Sequence, residues 1–167
     1  MITQAGAVAS GNVAGSGRAL RTIVSAGLVA GALDITYAFI IWGLRGVTPL
    51  QIGRSVASGL IGREAAVAGG VATGLLGLLL HFIMATIIAA IFYVAARNIR
   101  LLVERAVPFG IAYGLVTYGV MNYVVMPLSA IHSIGDSGPA YIRITGVLVH
   151  MFLIGLPIAL ITRKGLR

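Results

Sequence analysis

From Val71 to Ala96 the chain runs 26 residues without a formal charge. About 20 apolar residues cross a hydrocarbon core of ~30 Å, so a helix here is long enough to span a bilayer with some tilt. One imidazole, His81, sits near its centre. Gly70, Gly74, Gly77, His81, Ala85 and Ala89 recur at three- and four-residue spacing and therefore share one helix face. Small residues let another helix approach closely, so this stripe predicts a helix contact with His81 inside it.

Three further runs have the same character: about Thr22 to Leu44, Val107 to Ser129 and Tyr141 to Thr162. With 59% hydrophobic and 10% charged residues in 167, the chain lies outside the range of soluble domains and reads as a polytopic membrane protein. Residues 1–17 are small and polar without periodicity and predict a flexible tail. Ala30-Gly31-Ala32 after Arg18 and Arg21 has the look of a signal-peptidase site, but the apolar pattern continues well past it, as a span does. Between Arg45 and Arg63, Thr48 stands where an N-cap would and Pro49 at the first helical position. This segment is too short to span, so it predicts an interfacial helix over residues 49–61, or else a re-entrant one. Leu50, Ala57, Leu60 and Ile61 form its expected buried side. The fold class is therefore all-α: a polytopic transmembrane four-helix bundle, residues 18–167 as one domain, with a short interfacial helix after the first span.

Twelve Lys and Arg against four Asp and Glu give a net charge of +8. These cations fall between the apolar runs with no aromatic interleaving, so they speak for topology and against nucleic acid. Eight lie in the N-terminal segment, the loop after the second span and the C-terminal tail; Arg45, Arg54, Arg63 and Arg143 lie on the other side. This bias predicts both termini in the cytoplasm. There is no cysteine, hence no disulfide, thiolate metal site or cysteine nucleophile. No Walker loop, GxSxG or HExxH motif is present, so the chain is not expected to be an enzyme or to need a cofactor.

Each span brings one strongly polar residue: Asp34, His81, Asn122 and His150. At ~1.5 Å per residue, Asp34 and His81 fall roughly 15 Å below the outer interface and Asn122 and His150 roughly 10 Å below it. An acid inside the membrane is costly unless paired, so the four are expected to converge inside the bundle. Tyr118, beside Asn122, and Arg143, two turns before His150, are possible accessories. Three readings follow. In the first, the cluster handles a small solute or a proton, with Asp34 taking up and releasing the proton. In the second, the polar groups only fix helix register in a structural or assembly protein. In the third, His81 and His150 are axial ligands of a b-type haem, for which the glycines four residues before each leave room. Gly77-x-x-x-His81 and Gly146-x-x-x-His150 also form a weak internal echo. The lipid bilayer is the expected partner. A homo-oligomer held through the Gly110-x-x-x-Gly114 face would thicken a four-helix wall.

The run Val124-Val125-Met126-Pro127-Leu128, with a His on the second and fourth spans, resembles bacterial inner-membrane proteins of the YagU type. Stretches such as Gly27-Leu-Val-Ala-Gly-Ala-Leu-Asp34 and Met121-Asn-Tyr-Val-Val-Met-Pro-Leu128 are similar to hypothetical bacterial membrane proteins of this kind. The resemblance covers most of residues 23–162. It implies a bacterial inner-membrane location and no established activity.

Overall fold

The computed structural model describes residues 3–132 and 139–167, with side chains from Ser16 onward. Among them every regular element is a helix: α1 Thr3–Gly43, α2 Pro49–Ile61, α3 Arg63–Ala68, α4 Gly70–Asn98, α5 Arg100–Glu104, α6 Ala106–Leu128 and α7 Ala140–Leu166. The stretch Ser16–Gly43 of α1, together with α4, α6 and α7, is long and apolar enough to cross a membrane, on the four expected spans. Backbone from Thr3 onward is already helical and continuous with the first span. The sequence pattern predicts no element there. The difference has a local cause: the segment contains no proline, and its glycines weaken a helix without breaking it. Asp136, in the loop before α7, lies outside the described residues.

The four long helices form a ring in which α1 packs against α4 and α7 and α7 packs against α6 and also reaches α4, while α4 and α6 rarely approach backbone to backbone; small residues set the closest approaches. A Cβ on Gly27 of α1 would lie 2.6 Å from Thr86 Cα of α4. On Gly114 of α6 it would strike the His150 carbonyl of α7, and on Gly155 of α7 the Gly110 carbonyl. Gly165, near the end of α7, packs against Thr22 of α1, so the two chain-terminal spans meet at one end. This is the expected physics, because lipid tails are as apolar as leucine and close backbone packing, not burial, holds spans together. The Gly110–Gly114 face is thereby used inside the monomer. An oligomer would need another surface.

The two halves of the bundle are packed differently. Toward the chain termini, Ala26, Ala30, Ala89, Phe92, Ala96, Ala106, Ile154, Ile158 and Ala159 form a continuous core. At that level α4 and α6 are joined through side chains: Tyr113 donates its hydroxyl to the Ile88 carbonyl at 2.7 Å, and its ring lies 4.9 Å from that of Phe92. Toward the opposite end α2 packs against α4 and reaches the end of α6, while Tyr37 of α1 is bonded to Thr145 of α7.

That placement of α2 follows from its ends. Thr48 and Gln51 form a reciprocal capping box with Pro49 in the first turn, which satisfies free N-terminal amides. Arg54 Nε donates to the Gly70 carbonyl at 3.0 Å, and the Ala130 amide donates to the Gly59 carbonyl at 2.8 Å. The helix thus runs as a strap from the start of α4 to the end of α6. Its buried residues are Ile52, Gly53, Ala57 and Ser58, whereas Leu60 is 62% exposed, which corrects the expected apolar side. The reason is again close approach: a Cβ on Gly77 of α4 would run into the Gly53 carbonyl and lies 2.9 Å from the Ala57 amide nitrogen.

Both proline-bearing spans widen just before the proline. In α6 the stretch Met121–Val125 is π-helical ahead of Pro127, and in α7 His150–Gly155 is π-helical ahead of Pro157. A proline ring collides with the carbonyl four residues earlier, and a wider turn moves that carbonyl aside. Asn122 and His150 both sit in these widened turns.

Candidate functional site

A cavity of about 640 Å³ occupies the half of the bundle that α2 packs against. Asp34 from α1, His81 from α4 and His150 from α7 all line it. The rest of the wall is largely apolar, with Leu80, Met84 and Ile88 from α4 and Met121, Val125 and Met126 from α6. Strap α2 supplies the roof through Ser55, Val56, Gly59 and Leu60, and Ser129 closes the corner where α6 ends. No Lys or Arg reaches the wall.

Each polar residue is held differently. His81 Nε2 lies 2.9 Å from the Gly31 carbonyl, across the α1–α4 contact. A carbonyl oxygen only accepts, so Nε2 carries the proton in that bond, and in the neutral ring Nδ1 is left as an acceptor. The edge of Phe82 packs against the same ring, with centroids 5.4 Å apart. His150 does the reverse: Nδ1 donates to the Gly146 carbonyl of its own helix at 2.9 Å, which leaves Nε2 as the acceptor. Tyr118 meets His150 edge to face at 5.3 Å. Gly114, by admitting the His150 carbonyl, sets the height at which this imidazole enters the cavity.

Asp34 stands one turn beyond Gly31, whose carbonyl takes the His81 bond, so the carboxylate is carried by the stretch of α1 to which that imidazole is bonded. Among the described residues the one salt bridge is Arg100–Glu104, exposed on α5, and Asp34 makes no hydrogen bond or ion pair with a described partner. The cavity therefore holds a carboxylate and two imidazoles without a direct bond between acid and base.

Three of the expected residues are not part of the wall. Asn122 is one of them, although its neighbours Met121, Val125 and Met126 line it. Its amide instead donates to the Tyr118 carbonyl one turn back, at 2.9 Å, a local satisfaction that an isolated amide in an apolar helix readily finds. Arg143 is exposed and outside the cavity. Tyr118 touches His150 but is not itself part of the wall. Conversely, Ser55, Ser129 and the three methionines were not picked out by sequence reasoning. Nothing in spacing alone distinguishes a methionine facing a void from one facing a helix.

As for ligation, among the described residues no group of three His, Cys, Asp or Glu side chains is placed to hold a metal ion. A bis-histidine haem would require His81 to rotate or to surrender its bond to Gly31, because Nε2 is already engaged there. Helix-to-helix hydrogen bonding falls largely to tyrosines: Tyr37 donates to Thr145 Oγ1 at 2.6 Å, as Tyr113 does to Ile88. No family model, curated protein or solved structure matches the chain, so the reading of this cavity rests on its own geometry.

Proposed function

We propose that the protein handles a small solute or a proton within the bilayer, through the cavity that Asp34, His81 and His150 share. The observation that carries this reading is their convergence on one void of about 640 Å³, within the range of small-molecule sites and mostly apolar, with a few polar groups. Asp34 is the group that takes up and releases a proton, since an intramembrane carboxylate is stable when neutral or paired and costly otherwise. His81 and His150 offer acceptor nitrogens through which such a proton moves on. The site lies in a bacterial inner membrane with both termini cytoplasmic, a placement supported by the eight-to-four bias of Lys and Arg and by the resemblance to YagU-type proteins.

The test is proton flux in liposomes loaded with a pH-sensitive dye under an imposed proton gradient. Wild type is expected to collapse the gradient faster than protein-free vesicles, and Asp34→Asn to fall back to the protein-free rate while remaining folded. Identical traces for both proteins would overturn the proton-carrying role of Asp34. A structural role has one observation in its favour: the His81 bond to Gly31 ties α1 to α4 whatever else the ring does. Under that reading Asp34→Asn changes no flux.

A further inference from the structure

We propose that the cavity takes a hydrophobic ammonium ion, an amine with an apolar body, and that this ligand enters sideways from the lipid between α4 and α6, beneath α2. The proposal rests on the solute-handling reading and names its substrate class and route.

The charge of the ligand follows from what the wall offers. Asp34 is acceptor-only when ionised and has no described partner. His81 and His150 each spend their protonated nitrogen on a backbone carbonyl, so what remains on both neutral rings is an acceptor. The Ser129 hydroxyl is likewise spent as a donor, on the Met126 carbonyl at 2.7 Å. With no Lys or Arg in the lining and the Ser55 hydroxyl as its one uncommitted donor among the described residues, the site is richer in acceptors than in donors, and its formal charge when Asp34 is ionised is negative. A ligand that brings N–H donors and a positive charge is complementary to these groups. A carboxylate or phosphate finds only the Ser55 hydroxyl as a donor. Charge-assisted hydrogen bonds to an amine also remove the cost of leaving Asp34 unpaired in an apolar surround. Met84, Met121 and Met126 then meet the apolar body, since thioethers are soft, adaptable packing partners that suit ligands of variable shape.

The route follows from where the ring of helices is open. Helices α1–α4, α6–α7 and α1–α7 meet at glycines, but α4 and α6 are held by the Tyr113–Ile88 bond and the Phe92–Tyr113 ring contact, the first of which lies at the cavity's inner end, where Ile88 is part of the wall. Above that clasp, four residues of the cavity wall are exposed: Ile83 on α4 at 46%, Leu128 at the end of α6 at 80%, and Leu60, at 62%, with Ser55 on α2. This rim is mostly apolar and sits beside the membrane-spanning surface of the bundle. An amphiphilic amine already partitioned into lipid reaches Asp34 by this mouth without crossing a polar barrier.

The test uses the full chain in lipid nanodiscs and equilibrium dialysis of labelled 4-phenylbutylamine, with 4-phenylbutanol and 4-phenylbutyrate as neutral and anionic matches and empty nanodiscs as background. Saturable binding of the amine above background is expected, with weaker binding of the alcohol and none of the acid. Asp34→Asn should weaken the amine by about tenfold or more, the loss of one charge-assisted hydrogen bond, and leave the alcohol unchanged. Ile83→Trp, at an exposed position that folding tolerates, should slow amine association severalfold with little change in affinity at equilibrium. Equal binding of amine and alcohol, preferred binding of the acid, or amine binding indifferent to Asp34→Asn would each overturn the cationic class. An association rate unaffected by Ile83→Trp would overturn the lateral route. If no amine binds while Asp34-dependent proton flux is present, the ligand class fails and the proton-handling reading stands. If Asp34-dependent binding is present without flux, the reverse holds.

Discussion

His81 carries one hydrogen bond that crosses between helices, and the magnitude of that bond decides what replacing it does. Interhelical bonds in membranes contribute about 0.6 kcal/mol on average and rarely above about 1.7, because the unfolded state in lipid also finds partners. His81→Phe should therefore lower stability by about 1 kcal/mol in a detergent unfolding titration and leave the bundle folded; loss of the fold would mean that the imidazole organises far more than its bond to Gly31. Glycines matter more at this scale. On Gly77 a side chain would drive into the Gly53 carbonyl, and on Gly114 into the His150 carbonyl, both backbone atoms with little room to move. Gly77→Leu and Gly114→Leu are expected to cost at least about 3 kcal/mol each, the upper range for overpacking. Leu79, 58% exposed on the lipid side, should tolerate Leu79→Ala within about 0.5 kcal/mol. A melt in which all three variants lose stability equally would show that the small stripe is not the interface. The stripe is legible in the sequence because its spacing is helical. The neighbours it meets are not, since spacing on one helix says nothing about which helix faces it.

The roof over the cavity is an element-scale device, a helix of 13 residues held by a cap at one end, by the Arg54 side chain on the Gly70 carbonyl of α4 and by a backbone bond from Ala130, just past α6. Its capping box stood out in Thr48, Pro49 and Gln51, but its buried side did not. Of the expected side, Ala57 is buried and Leu50 half-buried, but Leu60 and Ile61 proved exposed, because in the membrane a helix crossing gains most from small residues at the contact. Removing the cap hydroxyl by Thr48→Ala should cost about 1 kcal/mol locally. Hydrogen exchange is expected to speed up for amides 49–61 while those of α4 and α6 keep their protection. Unchanged exchange across 49–61 would place the hold on α2 in its glycine contacts and not in its cap. The π-helical turns belong to this scale as well. The prolines are visible in the sequence, whereas the widened turns before them, which set the phase of Asn122 and His150, depend on how each helix relieves its proline.

At the scale of the whole molecule the ring is closed by close contacts on three sides and by a tyrosine clasp on the fourth, and this asymmetry leaves the cavity where it is. Tyr113→Phe removes the one hydroxyl that joins α6 to the α4 backbone there, at a cost of about 1 kcal/mol. The expected consequence is a wider α4–α6 separation, read as a longer distance between spin labels at Ile87 and Val116, both exposed, while the α6–α7 distance stays fixed. No change between α4 and α6 would show that the Phe92 contact suffices. Orientation is the other global quantity. With four spans the chain ends lie together, and eight of the twelve cations are at their end. Reporter fusions after Arg167 should report from the cytoplasm and fusions after Gly46 from the opposite side; the inverse pattern would reverse the membrane placement without altering the fold.

Chain composition and the uncharged apolar runs by themselves determined the class, the number of spans and, apart from the start of α1, their ends to within a few residues, because the length of hydrocarbon to be crossed is a one-dimensional constraint on apolar sequence. The polar residues were legible as candidates for a similar reason: an ionisable group is conspicuous in a run that has no others. Which of them meet was decided only in three dimensions. Asp34, His81 and His150 reach one cavity, and Asn122 turns back on its own helix, because the helices approach wherever glycines allow it and separate where they do not, and because the proline-driven turns reset the phase of α6 and α7. Depth along a helix can be counted from sequence; rotation about its axis is settled by the neighbours it packs against.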